Sequence, residues 1–220
     1  MIVIVEGNIA VGKTTFLRRV EDDSSLRDVC HVHVLYEPLH LWQNLNGYNL
    51  LDTFYDNNSN DDNIAAELQY YIIFTMINRY LEALEIDKKD KKKNIVLMER
   101  SVYSGIECFA RVLNKRGRIR DRSYEIMSKG AGDIMINLPK PDHIIYLKVD
   151  NAKVGILMDR ILERGRDCES SNVNKGYLLD LNRAYDNMID RYKNDIPVTV
   201  IPMTDILGDV NPIISNLAER

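Results

Sequence analysis

The sequence predicts an α/β protein built on one five-stranded parallel sheet with helices on both faces, and three observations predict it. An apolar run of strand length, Ile2 to Val5, passes directly into a glycine-rich loop and then a stretch free of helix breakers. Four more short apolar runs follow along the chain. The intervals between them are long enough for helices, as parallel strands require. The chain has 220 residues, 45% of them apolar, which suits one sizeable core and is too short for two, so a single domain over residues 1–220 is expected.

The first strand, Ile2 to Val5, is continuous and β-branched, the pattern of a strand buried on both faces. After Glu6 comes Gly7-Asn8-Ile9-Ala10-Val11-Gly12-Lys13-Thr14-Thr15, the pattern of a phosphate-binding loop. Two glycines five apart let the backbone curl so that successive N–H groups point at an anion, and the following helix adds its positive end. Lys13 supplies a point charge to β- and γ-phosphates, and the Thr14 hydroxyl can ligate Mg²⁺. Thr15 to Val20 continues as a helix.

The remaining strands are expected at His31 to Tyr36, Asn94 to Met98, His143 to Val149 and Pro197 to Ile201. Long helices fit Ile64 to Ile86, Val102 to Lys115, Ala152 to Arg164 and Lys175 to Lys193. Asp56 to Asp62, which carries the sequon Asn57-Asn58-Ser59, reads as a turn-rich surface loop. The charge run Asp87 to Lys93 reads as a solvated loop before a buried strand.

Ligands of such sheets gather at the carboxyl ends of the strands. Three of those ends carry ionisable residues, Glu6 before the phosphate loop, Glu37-Pro38 and Glu99-Arg100-Ser101, and among them Glu37, Glu99 and Arg100 are site candidates. The proline makes helix capping less natural for Glu37, since a residue before proline avoids helical geometry. Arg160 and Arg164 lie four apart on one helix face, and Gly165 lets the chain turn before Arg166. Guanidinium forks of this kind suit phosphate oxygens. Gln69, Ile72 and Met76 fall at i, i+3 and i+7, so one helical stripe carries a single amide among apolar groups.

A net charge of −4 with both signs mixed argues against a nucleic-acid polymer as partner. Cys30, Cys108 and Cys168 lack metal spacing and suit reduced thiols in the cytoplasm. With the loop beginning at residue 7, no targeting segment is expected, and no apolar run reaches membrane-spanning length.

Gly7 to Thr15, Glu37-Pro38 with Trp42, Asn46-Gly47-Tyr48-Asn49-Leu50-Leu51 with Tyr55, Gln69 and Glu99-Arg100-Ser101 together resemble the deoxynucleoside kinase family in order and spacing. The resemblance covers roughly residues 1–180 and is strongest to the thymidine kinase 2 and insect multisubstrate branch. It implies a P-loop kinase fold with an arginine-rich lid at about residues 160–172, and transfer of phosphate from ATP, with Mg²⁺, to the 5′-hydroxyl of a deoxyribonucleoside. By resemblance Glu37 is the general base, Arg100 holds it near the 5′-hydroxyl, and Glu99 lies near Mg²⁺. Lys13 and the lid residues Arg160, Arg164 and Arg166 face the phosphates.

The same resemblance makes Phe109 a stacking partner of the base and Trp42 a wall beside it, with Tyr55 and Glu169 on the sugar 3′-hydroxyl. A carboxamide at Gln69 can pair with thymine or with cytosine, and Ile72 shares its stripe. Met76 and Gly105 are expected near the 5-position of the base, where deoxycytidine and deoxyguanosine kinases carry an arginine and an aspartate. With both charges absent, thymidine is the expected substrate and deoxycytidine a second one. A homodimer is implied, and the segment around Asp205 and Ile206 is the candidate for adenine.

Three features depart from the family pattern: Leu68 in place of a phenylalanine, three extra residues between Tyr55 and Gln69 relative to the insect enzyme, and Cys168 beside Glu169. Two alternatives stay open. A nucleotide kinase of the thymidylate kinase type would call for an extra arginine set and usually an aspartate near Asn8 and Ile9. A non-catalytic relative would not need Lys13, Thr14, Glu37, Glu99 and Arg100 together.

Overall fold

The computed structural model describes residues 1–56, 63–89, 94–165, 173–205, 208 and 210–219. Five strands, β1 (Ile2–Gly7), β2 (His31–Leu35), β3 (Asn94–Glu99), β4 (His143–Lys148) and β5 (Val198–Pro202), form one sheet in the order β2-β3-β1-β4-β5. Every pairing is parallel. Ile2, Val3, Ile4 and Val5 are all buried, and successive strand side chains point to opposite faces, so both faces of the sheet are covered.

Register decides what the strands deliver. Val5 of β1 pairs with Glu99 of β3, Gly7 with Leu147 of β4, and Leu35 of β2 with Met98. The carboxyl ends of β1, β2 and β3 therefore finish at one level, where Glu6, Glu37 and Glu99-Arg100 leave the sheet.

Helix α1 (Lys13–Asp22) buries Lys13, Phe16, Leu17 and Val20, the spacing of one helical face. Short helices α2 (Leu39–Gln43) and α3 (Leu50–Tyr55) follow β2, the second capped by Asn49 Oδ1 accepting from the Asp52 N–H at 3.0 Å. The long helix α4 (Ile64–Lys89) runs three residues past its expected end, so Asp87, Lys88 and Lys89 of the charge run are helical rather than loop. Asp87 there pairs with the Met1 ammonium. Residues 90–93 and the sequon lie outside the described residues.

Two of the expected helices are interrupted. Val102 to Lys115 divides into α5 (Val102–Ser104), a π-helical segment Gly105–Ala110 and α6 (Arg111–Lys115). Ala152 to Arg164 becomes a 3₁₀ turn, Asn151–Lys153, and then α8 (Gly155–Glu163). Between them lies α7 (Asp121–Met135), unanticipated because it buries only Met127 and Ala131 and contains two glycines. Then α9 (Lys175–Tyr192) precedes β5, and α10 (Asn211–Ala218), opened by a proline in its first turn, follows it.

Candidate active site

The loop after β1 is shaped by two glycines with positive φ, 150° at Gly7 and 113° at Gly12. A Cβ on Gly7 would stand 2.7 Å from the Leu147 carbonyl oxygen and 2.9 Å from Val11 Cγ1, so glycine is required for β1 to approach β4 there. Asn8 is buried; its Nδ2 donates to the Leu178 carbonyl at 2.8 Å and its Oδ1 accepts from the Ile9 N–H at 2.8 Å. The loop is thereby tied to α9. Lys13 Nζ lies across its own loop, donating to the carbonyls of Gly7 at 3.0 Å and Asn8 at 2.9 Å. Burial pushes the Lys13 ammonium down to about 7, Arg100 adds to the fall, and Glu99, Glu37 and Glu6 oppose it.

Thr14 Oγ1 donates to Glu99 Oε1 at 2.8 Å. A hydroxyl and a carboxylate side by side fit Mg²⁺, which takes one or two protein oxygens and fills its octahedron with water and phosphate. Among the described residues no group of three or more His, Cys, Asp or Glu forms a self-sufficient metal cage.

Arg100 is the hub. Its φ of 66° is left-handed, an uncommon conformation for a non-glycine residue, so its surroundings must hold it there. Nε lies 2.8 Å from Glu37 Oε1, Nη1 donates to the Gly7 carbonyl at 3.1 Å and to the Tyr185 hydroxyl, and Cζ sits 4.7 Å from the centre of the Phe109 ring. Burial by itself would loosen the guanidinium's proton. Tyr185, Glu37, Glu6 and Glu99 more than offset that, and the group is held firmly cationic.

Two hollows meet at this point. A cleft of about 690 Å³ runs along the loop and α1 and includes Lys13, Thr14, Thr15 and Glu99 in its walls. A narrower chamber of about 70 Å³ is walled by Trp42, Tyr55, Gln69, Ile72 and Phe109, among others. Glu37, Leu39, Arg100 and Arg164 line both. In the chamber the buried Gln69 Oε1 has no hydrogen-bond partner among the described residues, an unmet acceptor that a ligand can satisfy. Trp42 is held by its Nε1–H, which donates to Thr75 Oγ1 at 2.9 Å.

Most residues singled out in the sequence thus converge. Some do not. Met76 is 2% exposed and does not line the chamber, because seven residues from Gln69 are roughly 10 Å along a helix axis. Gly105 is buried as well, and a Cβ there would face Ile73 at 3.6 Å rather than the chamber. Arg160, expected in a lid, instead donates from Nη1 to the carbonyls of Val11 at 3.0 Å and Ala10 at 3.4 Å, bracing the loop from outside. Gly165 does turn the chain, with φ 63°. Arg166, Cys168, Glu169 and Ile206 lie outside the described residues.

The structure adds Tyr177, Leu39, Leu51 and Phe54 as chamber residues, and Glu6 and Tyr185 around Arg100. Glu6 was visible in the sequence as a carboxylate ending an apolar strand before the loop, but without a role. For Tyr177, in the first turn of a long helix, there was no signal.

Comparison with known proteins gives a coherent picture. The family description for deoxynucleoside kinase matches residues 3–214. A probable deoxycytidine kinase of fowlpox virus is 31% identical over 208 residues, covering 93% of this chain and 77% of its own. Human mitochondrial thymidine kinase 2 is 33% identical over 150 residues, 68% of this chain and 51% of its own, so the matched part spans about half of that relative. A putative kinase of Invertebrate iridescent virus 3 is 26% identical over 220 residues, 100% of this chain and 98% of its own.

Proposed function

Because this chain belongs to the deoxynucleoside kinase family, we propose that it transfers the γ-phosphoryl group of ATP to the 5′-hydroxyl of a pyrimidine deoxyribonucleoside, thymidine foremost and deoxycytidine second. The observation that carries it is the shared wall: Glu37, Arg100 and Arg164 line both the loop cleft and the chamber. An alcohol held in the chamber and a phosphate held by the loop meet there and nowhere else among the described residues.

In this reaction the 5′-oxygen forms its bond to the γ-phosphorus as the bond to the ADP oxygen breaks, and the hydroxyl proton passes to Glu37. Arg100 keeps the Glu37 carboxylate aimed at that hydroxyl through their 2.8 Å ion pair. Lys13 and Arg164 supply positive charge to the phosphate oxygens, and Arg166 is assigned the same task. Mg²⁺, held by Thr14 and Glu99, would neutralise phosphate charge when bound.

Gln69 meets the base edge with its amide, between Trp42, Ile72 and Phe109. Tyr55, with Glu169, takes the sugar 3′-hydroxyl. The base end of the chamber, at Gln69, Trp42, Ile72 and Phe109, carries no formal charge, and this supports the pyrimidine assignment. Met76 and Gly105 act at most through the packing behind that wall.

We also assign a homodimer, supported by the exposed Phe74 and Leu81 of α4 and Ile126 and Ile134 of α7, two helices in contact with each other. No described helix is long and apolar enough to cross a membrane.

The test is a panel of thymidine, deoxycytidine, deoxyadenosine, deoxyguanosine and thymidine monophosphate as acceptors, with ATP and Mg²⁺. Thymidine should react best and deoxycytidine next. Transfer to the monophosphate alone would replace this function with a nucleotide kinase, and nucleoside-independent or absent ATP turnover would remove it.

A further inference from the structure

Behind Arg100, on the side away from Glu37, lies a buried polar cluster to which the reaction above assigns nothing. Glu6, Ser101, Ser104 and Tyr185 are each no more than 4% exposed. Ser101 Oγ donates to Glu6 Oε1, and Ser101 and Ser104 cap α5 reciprocally. Tyr185, on α9, accepts from Arg100 Nη1 through its hydroxyl, with Ser104 beside its oxygen. Its ring stacks on Tyr146 at 6.2 Å and meets Phe109 edge-on at 6.3 Å. Phe109 in turn lies under the Arg100 guanidinium and in the chamber wall. Tyr185 thus touches both Arg100 and the ring proposed to stack on the base, and reaches neither hollow itself.

We propose that Tyr185, backed by Ser104 and Glu6, is a positioning residue that fixes the Arg100 guanidinium, and through it Glu37, at the wall between phosphate and alcohol. Arg100 sits in a left-handed backbone conformation, its N–H donating to the Val5 carbonyl at 3.0 Å, and the cluster adds the anchoring of its side chain. A side chain launched from such a position keeps one orientation only when its donors are taken up on several sides. Glu37 Oε1 pairs with Nε by charge at 2.8 Å without a hydrogen bond, so the anchoring hydrogen bonds are the two from Nη1, to the Gly7 carbonyl and to Tyr185. Burial pushes the Tyr185 phenol well above its ordinary range, so it stays neutral and can serve as an acceptor without adding a charge. The same burial pushes the Glu6 carboxyl up to about 7 despite Ser101, Arg100, Ser104 and Lys13. Near neutrality Glu6 is therefore partly protonated, which eases the lack of a partner at its Oε2 among the described residues.

The proposal rests on the kinase function only for its kinetic consequence, so the experiment has one arm that needs no turnover. Tyr185→Phe keeps the ring and removes the acceptor. In the ligand-free protein the ¹⁵N resonance of the Arg100 Nη1 group, assigned by its loss in Arg100→Lys, should be sharp in the parent. In Tyr185→Phe it should broaden and exchange with solvent about tenfold faster or more, while the ring contacts keep the variant folded.

In the kinetic arm, kcat should fall about ten- to hundredfold with nucleoside KM changed less than about threefold. The double variant with Glu37→Gln should lose no more than Glu37→Gln alone, because both changes act on one unit. Ser104→Ala, which leaves Tyr185 in place, should move the Arg100 signal in the same direction and covers the case in which Tyr185→Phe fails to fold. An unchanged Arg100 signal, or additive losses in the double variant, overturns the proposal. If the parent transfers no phosphate to any nucleoside, the kinase function falls and the resonance still decides whether Tyr185 holds Arg100.

Discussion

Glu6 and Lys13 put opposite charges into one buried corner, and their titrations pull stability in opposite directions. Glu6 is raised from an ordinary 4.5 to about 7, so the folded chain holds extra proton between those values. Its contribution is complete below about 4.5 and is lost as pH rises through about 7. Lys13 is lowered from 10.5 to about 7, so its contribution is complete above about 10.5 and is lost as pH falls through about 7. Thermal melts of the free protein should therefore show the melting temperature declining from pH 4.5 to 7 more steeply than in Glu6→Gln. A variant whose slope matches the parent would show that Glu6 does not titrate in this window. At Glu37 the expected change is kinetic: Glu37→Gln should cost roughly 10²–10⁴ in kcat with little change in nucleoside KM, read from steady-state rates. Individual residues were legible in the sequence where chemistry and position coincided, as for Lys13, Thr14, Glu37 and Arg100. Met76 was misplaced because a stripe on a helix face states direction but not depth, and the helix outruns the chamber. Arg160 was misplaced because spacing alone cannot tell a guanidinium that meets phosphate from one that meets the loop carbonyls.

Elements were legible in proportion to how strongly their burial marks the chain. The five strands stand within about one or two residues of their expected limits, because a strand covered on both faces is an unbroken apolar run. Interrupted helices such as Gly105–Ala110 leave no such mark, since six residues with i→i+5 hydrogen bonds are too few for their wider period to show in the sequence. The short α2 and α3 were invisible for another reason: they are stabilised by what they cover, not by their own propensity. One contact shows how. Helix α2 supplies Trp42, whose indole N–H is met by Thr75 on α4, and Thr75 in turn bonds back to the Tyr71 and Ile72 carbonyls. Thr75→Val keeps the shape and leaves a buried indole donor unmet, at a cost of about 1–3 kcal/mol. The expected outcome is a lower melting temperature together with a nucleoside KM raised several-fold, with ATP KM unchanged; equal shifts in both KM values would mean that Trp42 does not belong to the nucleoside side.

At the scale of the whole molecule, the parallel register does the assembling. Aligning Val5 with Glu99 and Leu35 with Met98 brings acids from three strand ends to one rim, although Glu6, Glu37 and Glu99 are distant in sequence. Such gathering follows from a parallel sheet, which is why the rim could be anticipated from the residues at the strand ends while its depth could not. Association belongs to this scale too. Ile126→Glu on α7 places a charge in the proposed contact between copies and should convert a dimer into a monomer in sedimentation velocity, leaving the fold intact; a parent that already sediments as a monomer would remove the dimer. The wall common to the two hollows has one further effect. The chamber around Glu37 is walled mainly by apolar and aromatic side chains, so water that enters it finds few polar partners. In the proposed reaction such a water would compete for the same activation as the sugar alcohol, so exclusion of water on the nucleoside side would limit hydrolysis of ATP without an acceptor. Enlarging that side, as in Leu68→Ala, should raise futile hydrolysis before it impairs salvage of the intended alcohol.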